Sequence, residues 1–320
     1  MSLEFTSPGK LKTAVLFLVF NRPDTTRQVF EAIRRARPPR LYVAADGARD
    51  SSVGEAERVA EVRLIATKVN WPCELKVLFR DKNLGCKQAI SLGIDWFFEN
   101  EERGIILEDD CLPHPDFFPF CEALLERFID DDRVSVITGD NFQNGILRGD
   151  GSYYFSRYNH VWGWASWRRA WKHYNEDLIF WPEWKGSAGW MAEFTDLVER
   201  RYWENIFDRM YGQQIDTWDY PWTASVWFHG GLTATPNVNL VSNIGFGLHS
   251  THTTSTSSPL AKIATNVLGA ITHPSAVVQD QAADRYVFNN AICGFKQRLL
   301  LRLKLAAFSV IKIMRFKTGS

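Results

Sequence analysis

The stretch Gly104-Ile105-Ile106-Leu107-Glu108-Asp109-Asp110 runs a short apolar segment directly into three consecutive carboxylates. The apolar part reads as a strand buried on both faces. The acidic part is costly unless its charges are solvated, protonated or neutralised by a cation. Side chains alternate along a strand, so Glu108 and Asp110 share one face while Asp109 points to the other. The competing interpretation is an acidic loop that places Asp109 and Asp110 favourably ahead of a helix at 113–118.

Outward from this stretch, comparable runs stand at Thr13–Phe20, Leu41–Ala45, Leu75–Phe79 and Val134–Thr138. Apolar residues recur at helical spacing between them. Val29, Phe30 and Ile33 follow Pro23, which suits a first helical turn. A second stripe runs from Ala56 to Val69, a third from Ala89 to Phe97 and a fourth from Phe117 to Phe128. Strands alternating with helices predict an α/β fold, Rossmann-like, with a mainly parallel sheet flanked by helices. Ligands of such a sheet bind beyond the carboxyl ends of its strands. The five ends here carry Asn21-Arg22, Asp46-Gly47, Arg80-Asp81, Glu108-Asp109-Asp110 and Gly139-Asp140-Asn141.

This rim suits a nucleotide. Asp46 is able to accept the imide N–H of a uracil, and Arg22 to stack on the base or meet a phosphate. Arg80, Asp81 and Lys87 bracket the Gly85 turn, where a helix N-terminus favours anions. The hard oxygens of residues 108–110 suit Mg²⁺ or Mn²⁺, with a diphosphate supplying further ligands. No GxGxxG or Walker pattern is present, which removes support for dinucleotide binding and P-loop chemistry. Each of these residues taken singly serves equally well as an ordinary structural or surface residue.

Composition narrows the partners. The chain has 320 residues, 45% of them apolar, and balances 37 basic against 37 acidic side chains. It therefore offers no global field to attract nucleic acid. Five cysteines without a CxxC pair or zinc-ligand rhythm read as free thiols, consistent with the cytoplasm. Residues 1–12 read as a leader without a signal-peptide core. Eleven of the thirteen tryptophans fall between Trp162 and Trp227, in a segment read as mostly helical, where the rings serve as core or as a sugar platform. Residues 295–317 mix Leu, Ile and Phe with Lys and Arg, too short an apolar run to span a bilayer. They fit either a basic amphipathic helix on the inner face of a membrane or a packed terminal helix.

The segment from Arg80 to Phe118, with Glu108-Asp109-Asp110 followed by Pro115-Asp116-Phe117-Phe118, resembles GT-A glycosyltransferases. It is similar in particular to a bacterial group related to the Golgi N-acetylglucosaminyltransferase that starts the first N-glycan branch. Val161-Trp-Gly-Trp164 and Thr217-Trp-Asp-Tyr-Pro-Trp222 carry the likeness further, over about residues 13–255. The resemblance implies an inverting transferase using Mn²⁺ or Mg²⁺. Its donor would be a nucleotide sugar linked to UDP, and its acceptor a glycan or lipid-linked glycan in surface polysaccharide or glycoconjugate synthesis. Asp110 would ligate the metal, Asp109 face the ribose or sugar, and Glu108 contact the sugar or a metal-bound water. Asn21, Arg22 and Asp46 would hold the uracil end, with Trp164 and Trp218 also at the nucleotide-sugar site. Asp219 would be the catalytic base, although Tyr220 and Pro221 replace a second acid and its neighbour. Asn243–Thr253 would form the loop over the diphosphate, with His252 or His249 completing the metal site. The resulting organisation is a leader at 1–12, a nucleotide-sugar half at 13–145, an acceptor and base half at 146–294, and a basic helix at 295–320.

Rival readings are distinguishable. A glycoside hydrolase also uses two carboxylates, but needs neither nucleotide nor metal. A non-catalytic glycan-binding protein on the same scaffold has no use for Glu108, Asp109, Asp110 and Asp219 together. A sugar nucleotidylyltransferase usually has a Gly-rich loop where Asn21-Arg22-Pro23 stands here.

Overall fold

The computed structural model describes residues 11–246, 263–293, 298 and 301. The first half alternates β1 (Ala14–Val19), α1 (Pro23–Ala36), β2 (Arg40–Ala45), α2 (Glu55–Ala66), β3 (Glu74–Phe79), α3 (Cys86–Asn100) and β4 (Arg103–Glu108). A short β5 (Cys111–Pro113), α4 (Phe117–Arg127) and β6 (Val134–Thr138) follow. Pro23 opens α1, where its missing N–H forfeits no intrahelical bond, and Arg34 and Arg35 sit in the last turn against the negative end of the helix.

The second half adds strands to the helices expected there. It supplies β7 (Tyr153–Ser156), β8 (Trp164–Trp167), α5 (Arg168–Trp171), α6 (Trp181–Lys185), α7 (Ala188–Glu193), α8 (Leu197–Tyr211) and α9 (Asp219–Phe228). It then adds β9 (Leu232–Pro236), β10 (Val241–Asn243) and α10 (Gln281–Val287). Eight strands form one sheet in the order β3-β2-β1-β4-β8-β6-β9-β7. The stretch from β3 to β4 is parallel, whereas β8 runs antiparallel to both β4 and β6, and β7 antiparallel to β9. Four residues are too few to display a period, which is why Trp-Ala-Ser-Trp does not announce a strand.

Alternation along β1 divides the core between the two faces of the sheet. Val15, Phe17 and Val19 pack with residues of α1, α2 and α4, and Ala14, Leu16 and Leu18 with α3 and the aromatic half. Ten of the eleven clustered tryptophans are buried and serve as core; the exception is Trp162. No helix among the described residues is long and apolar enough to cross a membrane. Residues 1–10 lie outside the described residues, as does most of the expected basic helix.

Candidate active site

At the carboxyl ends of β1, β2 and β4 two cavities of about 540 and 840 Å³ meet, sharing Arg22, Cys86, Glu108, Gly245 and Phe246 in their walls. The three acids divide unevenly between the cavities, with Glu108 in the walls of both. Glu108 and Asp110 line the smaller cavity, and Asp109 lines only the larger. Asp109 is 2% exposed, and its carboxylate accepts from Phe20 N at 3.0 Å and Arg22 Nη2 at 2.5 Å. The other arm of the guanidinium donates to Asp110 Oδ2 at 2.7 Å.

Electrostatics follow from this crowding. Burial, then the charge of Asp110, raises the Glu108 carboxyl above its ordinary range against the opposing pull of Arg22. Burial also raises Asp109, with Arg22 opposing it. For Arg22 itself, burial disfavours the charge, but Asp109 and Asp110 together outweigh it and hold the pKa above the ordinary value.

The second half reaches the acids by two routes. The antiparallel pairing of β10 with β5 sets Asn243 opposite Cys111, and Ile244 N donates to Asp110 O at 2.8 Å. This lays Gly245 against the cluster so closely that a Cβ there would stand 2.1 Å from Asp110 Oδ2 and 2.7 Å from Arg22 Nη1. The second route is Asp219, the first residue of α9, which lines the smaller cavity with Glu108 and Asp110. Thr217 Oγ1 and the Tyr220 N–H donate to its Oδ1 at 2.5 and 2.8 Å, fixing the carboxylate and leaving Oδ2 with no partner among the described residues.

Other expected residues fare differently. Asn21 lines the larger cavity and donates to Glu55 Oε1 at 2.7 Å. Asp46 lines it too, but its oxygens already accept from Gly47 N, Leu84 N, Gly85 N and Asn83 Nδ2, between 2.9 and 3.1 Å. Its role here is to pin the loop before α3, where Gly85 adopts a φ of 82° that favours glycine. Arg80, Asp81 and Lys87 line neither cavity. Arg80 continues the β3 ladder with N–H on Ala45 O, and Lys87 pairs with Glu176 at 3.1 Å. Trp164 is fully buried in β8 and offers a ligand no surface, whereas Trp218, stacked on it at 5.7 Å, lines the smaller cavity and not the larger one. His249 and His252 lie outside the described residues.

The sequence reading missed Phe20, Ser52, Arg49 and Arg58, all of which line the larger cavity. Arg49 is held by Glu55, whose carboxyl this pairing lowers to about 2, and its guanidinium lies 5.5 Å from the Phe20 ring centroid. The only signal was a pair of basic residues flanking the Gly54 turn.

The donor chemistry fits a hard divalent cation. Glu108 and Asp110 present carboxylate oxygens to one cavity, and the three acids carry more negative charge than Arg22 offsets. Among the described residues no three metal-capable side chains stand together as a ready-made cage.

The family model for Glycosyl transferase family 2 matches residues 14–197. No curated protein matches the chain. Among solved structures, HddC from Yersinia pseudotuberculosis is similar at 12% identity over 53% of this chain and 86% of that one, with a TM-score of 0.32. A CMP:2-keto-3-deoxy-manno-octonic acid synthetase complexed with CTP is similar at 15% identity over 70% and 89%, with a TM-score of 0.35. A UDP-glucose pyrophosphorylase complexed with UDP-glucose is similar at 13% over 44% and 64%, with a TM-score of 0.27. Likenesses this slight carry no argument about ligands.

Proposed function

Because the chain belongs to Glycosyl transferase family 2, matched across the acid cluster and beyond, we propose that it moves a sugar from UDP to an acceptor hydroxyl with inversion, aided by Mn²⁺ or Mg²⁺. The acceptor in this reading is a glycan or lipid-linked glycan in surface polysaccharide or glycoconjugate synthesis. The likeness to the Golgi N-acetylglucosaminyltransferase group belongs to the same reading. The observation that carries it is the convergence of Glu108, Asp110 and Asp219 on one cavity that joins a second, nucleotide-sized one at Arg22.

The larger cavity takes the nucleotide, with Arg49 and Arg58 as its cationic groups and Asn21 at the base end. The smaller takes the acceptor, against Trp162, Trp218 and Tyr220. In this reading residues 13–145 supply most of the donor site and 146–294 the base and most of the acceptor wall, while Ile244, Gly245 and Phe246 also border the larger cavity and Arg22, Glu108 and Asp110 the smaller. Asp110 and Glu108 would hold the cation, which when bound offsets the charge that grows on the departing diphosphate. Asp219 takes the proton of the incoming hydroxyl through Oδ2, while Thr217 and Tyr220 keep its carboxylate turned toward the cavity. One carboxylate acting opposite the leaving group gives a single displacement and an inverted anomer.

A thermal-shift screen of nucleotide sugars with and without Mn²⁺ tests the donor assignment. A UDP-sugar should raise the melting temperature, more so with the ion, because ligand bound to the native state stabilises it by mass action. No response to any nucleotide sugar would overturn the reading, and NMR showing a retained product anomer would overturn the displacement scheme.

A further inference from the structure

Strand β3 is an edge of the sheet: β2 pairs with its inner side, and no described strand pairs with its outer side. Glu74 N donates to Pro39 O at 2.9 Å and Arg80 N to Ala45 O at 3.0 Å, so the even-numbered residues direct their amides inward. Backbone groups alternate in direction along a strand, which leaves the N–H and C=O of Leu75, Val77 and Phe79 facing outward. The side chains of these same residues are 37%, 48% and 36% exposed. Proteins usually guard such an edge with proline or charge; positions 75, 77 and 79 carry neither, and the charges of the strand, Glu74 and Lys76, stand at the alternate positions.

We propose that the occupant is a second copy of this chain, its β3 running antiparallel about a twofold axis at Val77. In an antiparallel pair, residues with outward amides oppose one another and exchange both hydrogen bonds. The register centred on Val77 matches all three: Val77 meets Val77 of the partner subunit, and Leu75 meets Phe79 of the partner subunit, in both directions. Their side chains fall on one face, giving a shared apolar row. On the other face Glu74 comes opposite Arg80 of the partner subunit, twice by symmetry, and directly opposed opposite charges stabilise a strand pair. Registers shifted by two residues lose one of the three pairs. They also set Lys76 opposite either Lys76 or Arg80 of the partner subunit, which like-charge repulsion disfavours. The strand is therefore self-complementary in one register, as a closed twofold interface requires.

Sedimentation equilibrium of the full chain tests this. A concentration-dependent dimer is expected, with Glu74→Arg or Arg80→Glu alone weakening association about tenfold by turning attraction into repulsion. The double variant Glu74→Arg/Arg80→Glu should restore the wild-type constant, a rescue that a merely misfolded variant would not show. A monomer at every concentration would overturn the proposal, as would a dimer whose constant neither single change moves. A monomer whose Val77 amide is nevertheless protected from hydrogen exchange would assign the edge to another segment of the chain, and the twofold pairing would fall with it.

Discussion

Arg22 Nη1 stands 2.7 Å from Asp110 Oδ2, while the other arm of the same guanidinium holds the nearly inaccessible Asp109. Removing one partner of a buried ion pair leaves the other charge uncompensated, which costs about 3–5 kcal/mol. Arg22→Ala should therefore lower stability by roughly that amount. Arg22→Lys, which keeps the charge but not the two-armed geometry, should recover part of it. Denaturant titration of the three proteins measures the effect, and an Ala variant as stable as the wild type would contradict it.

Asp219 and Asp110 share a cavity but should fail differently. Asp219→Asn should cut kcat by about 10²–10⁴, the usual cost of a lost general base, with donor affinity nearly intact. Asp110→Ala should abolish the Mn²⁺-dependent part of UDP binding. Calorimetry beside initial-rate kinetics separates the two roles. Equal loss of donor affinity in both variants would show that they have been divided wrongly.

Gly245→Ala adds one methyl group where there is no room, 2.1 Å from Asp110 Oδ2. The chain after β10 must move off the acid cluster, or the carboxylate must leave Arg22. Donor affinity is expected to fall, and the melting temperature with it to the extent that Asp110 gives up Arg22. UDP titration against a melting curve checks both halves of this expectation.

Asp140 is fully buried, and burial raises its carboxyl to about 8. Trp162 N donates to Oδ2 at 3.0 Å, whereas Oδ1 has no described partner. With the folded value above the unfolded one, the native state binds the proton more tightly. Stability should thus be highest at acid pH for this group and decline as pH rises from about 4 to about 8. The Asp140→Asn variant, which can accept the same Trp162 hydrogen bond while carrying no charge, should lose that decline of about 5 kcal/mol across the window. Urea titrations across this range decide the matter; parallel slopes for the two proteins would refute it.

The alternating first half was legible because its strands are short, mostly apolar runs and its helices repeat on one face; β3, interrupted by Lys76, is the exception, an exposed edge where a buried strand was expected. Strands β7, β8 and β9 were not, since they are brief and find their partners far along the chain. Among the site residues, the acids of 108–110 were visible because three adjacent carboxylates after a buried strand demand compensation. Asp46 shows the opposite case: an acid at a strand end is equally a ligand or an anchor, and only the positions of the Leu84 and Gly85 amides reveal that its acceptors are largely spent on the loop. Arg49 escaped notice because the turn before α2 has no period and its place depends on Glu55, and Arg58 because a basic residue on a helix face looks like ordinary surface.

Strand β8 comes from the second half of the sequence yet lies between β4 and β6 of the first. A cut near residue 145 would strip β4 and β6 of the neighbour each hydrogen-bonds. Recombining the two halves of different relatives at that point would join mismatched sheet interiors, not independent modules. Grafts that alter acceptor choice should instead be confined to the α8–α9 region, where the wall of the smaller cavity can change while the spine of the molecule keeps its continuity.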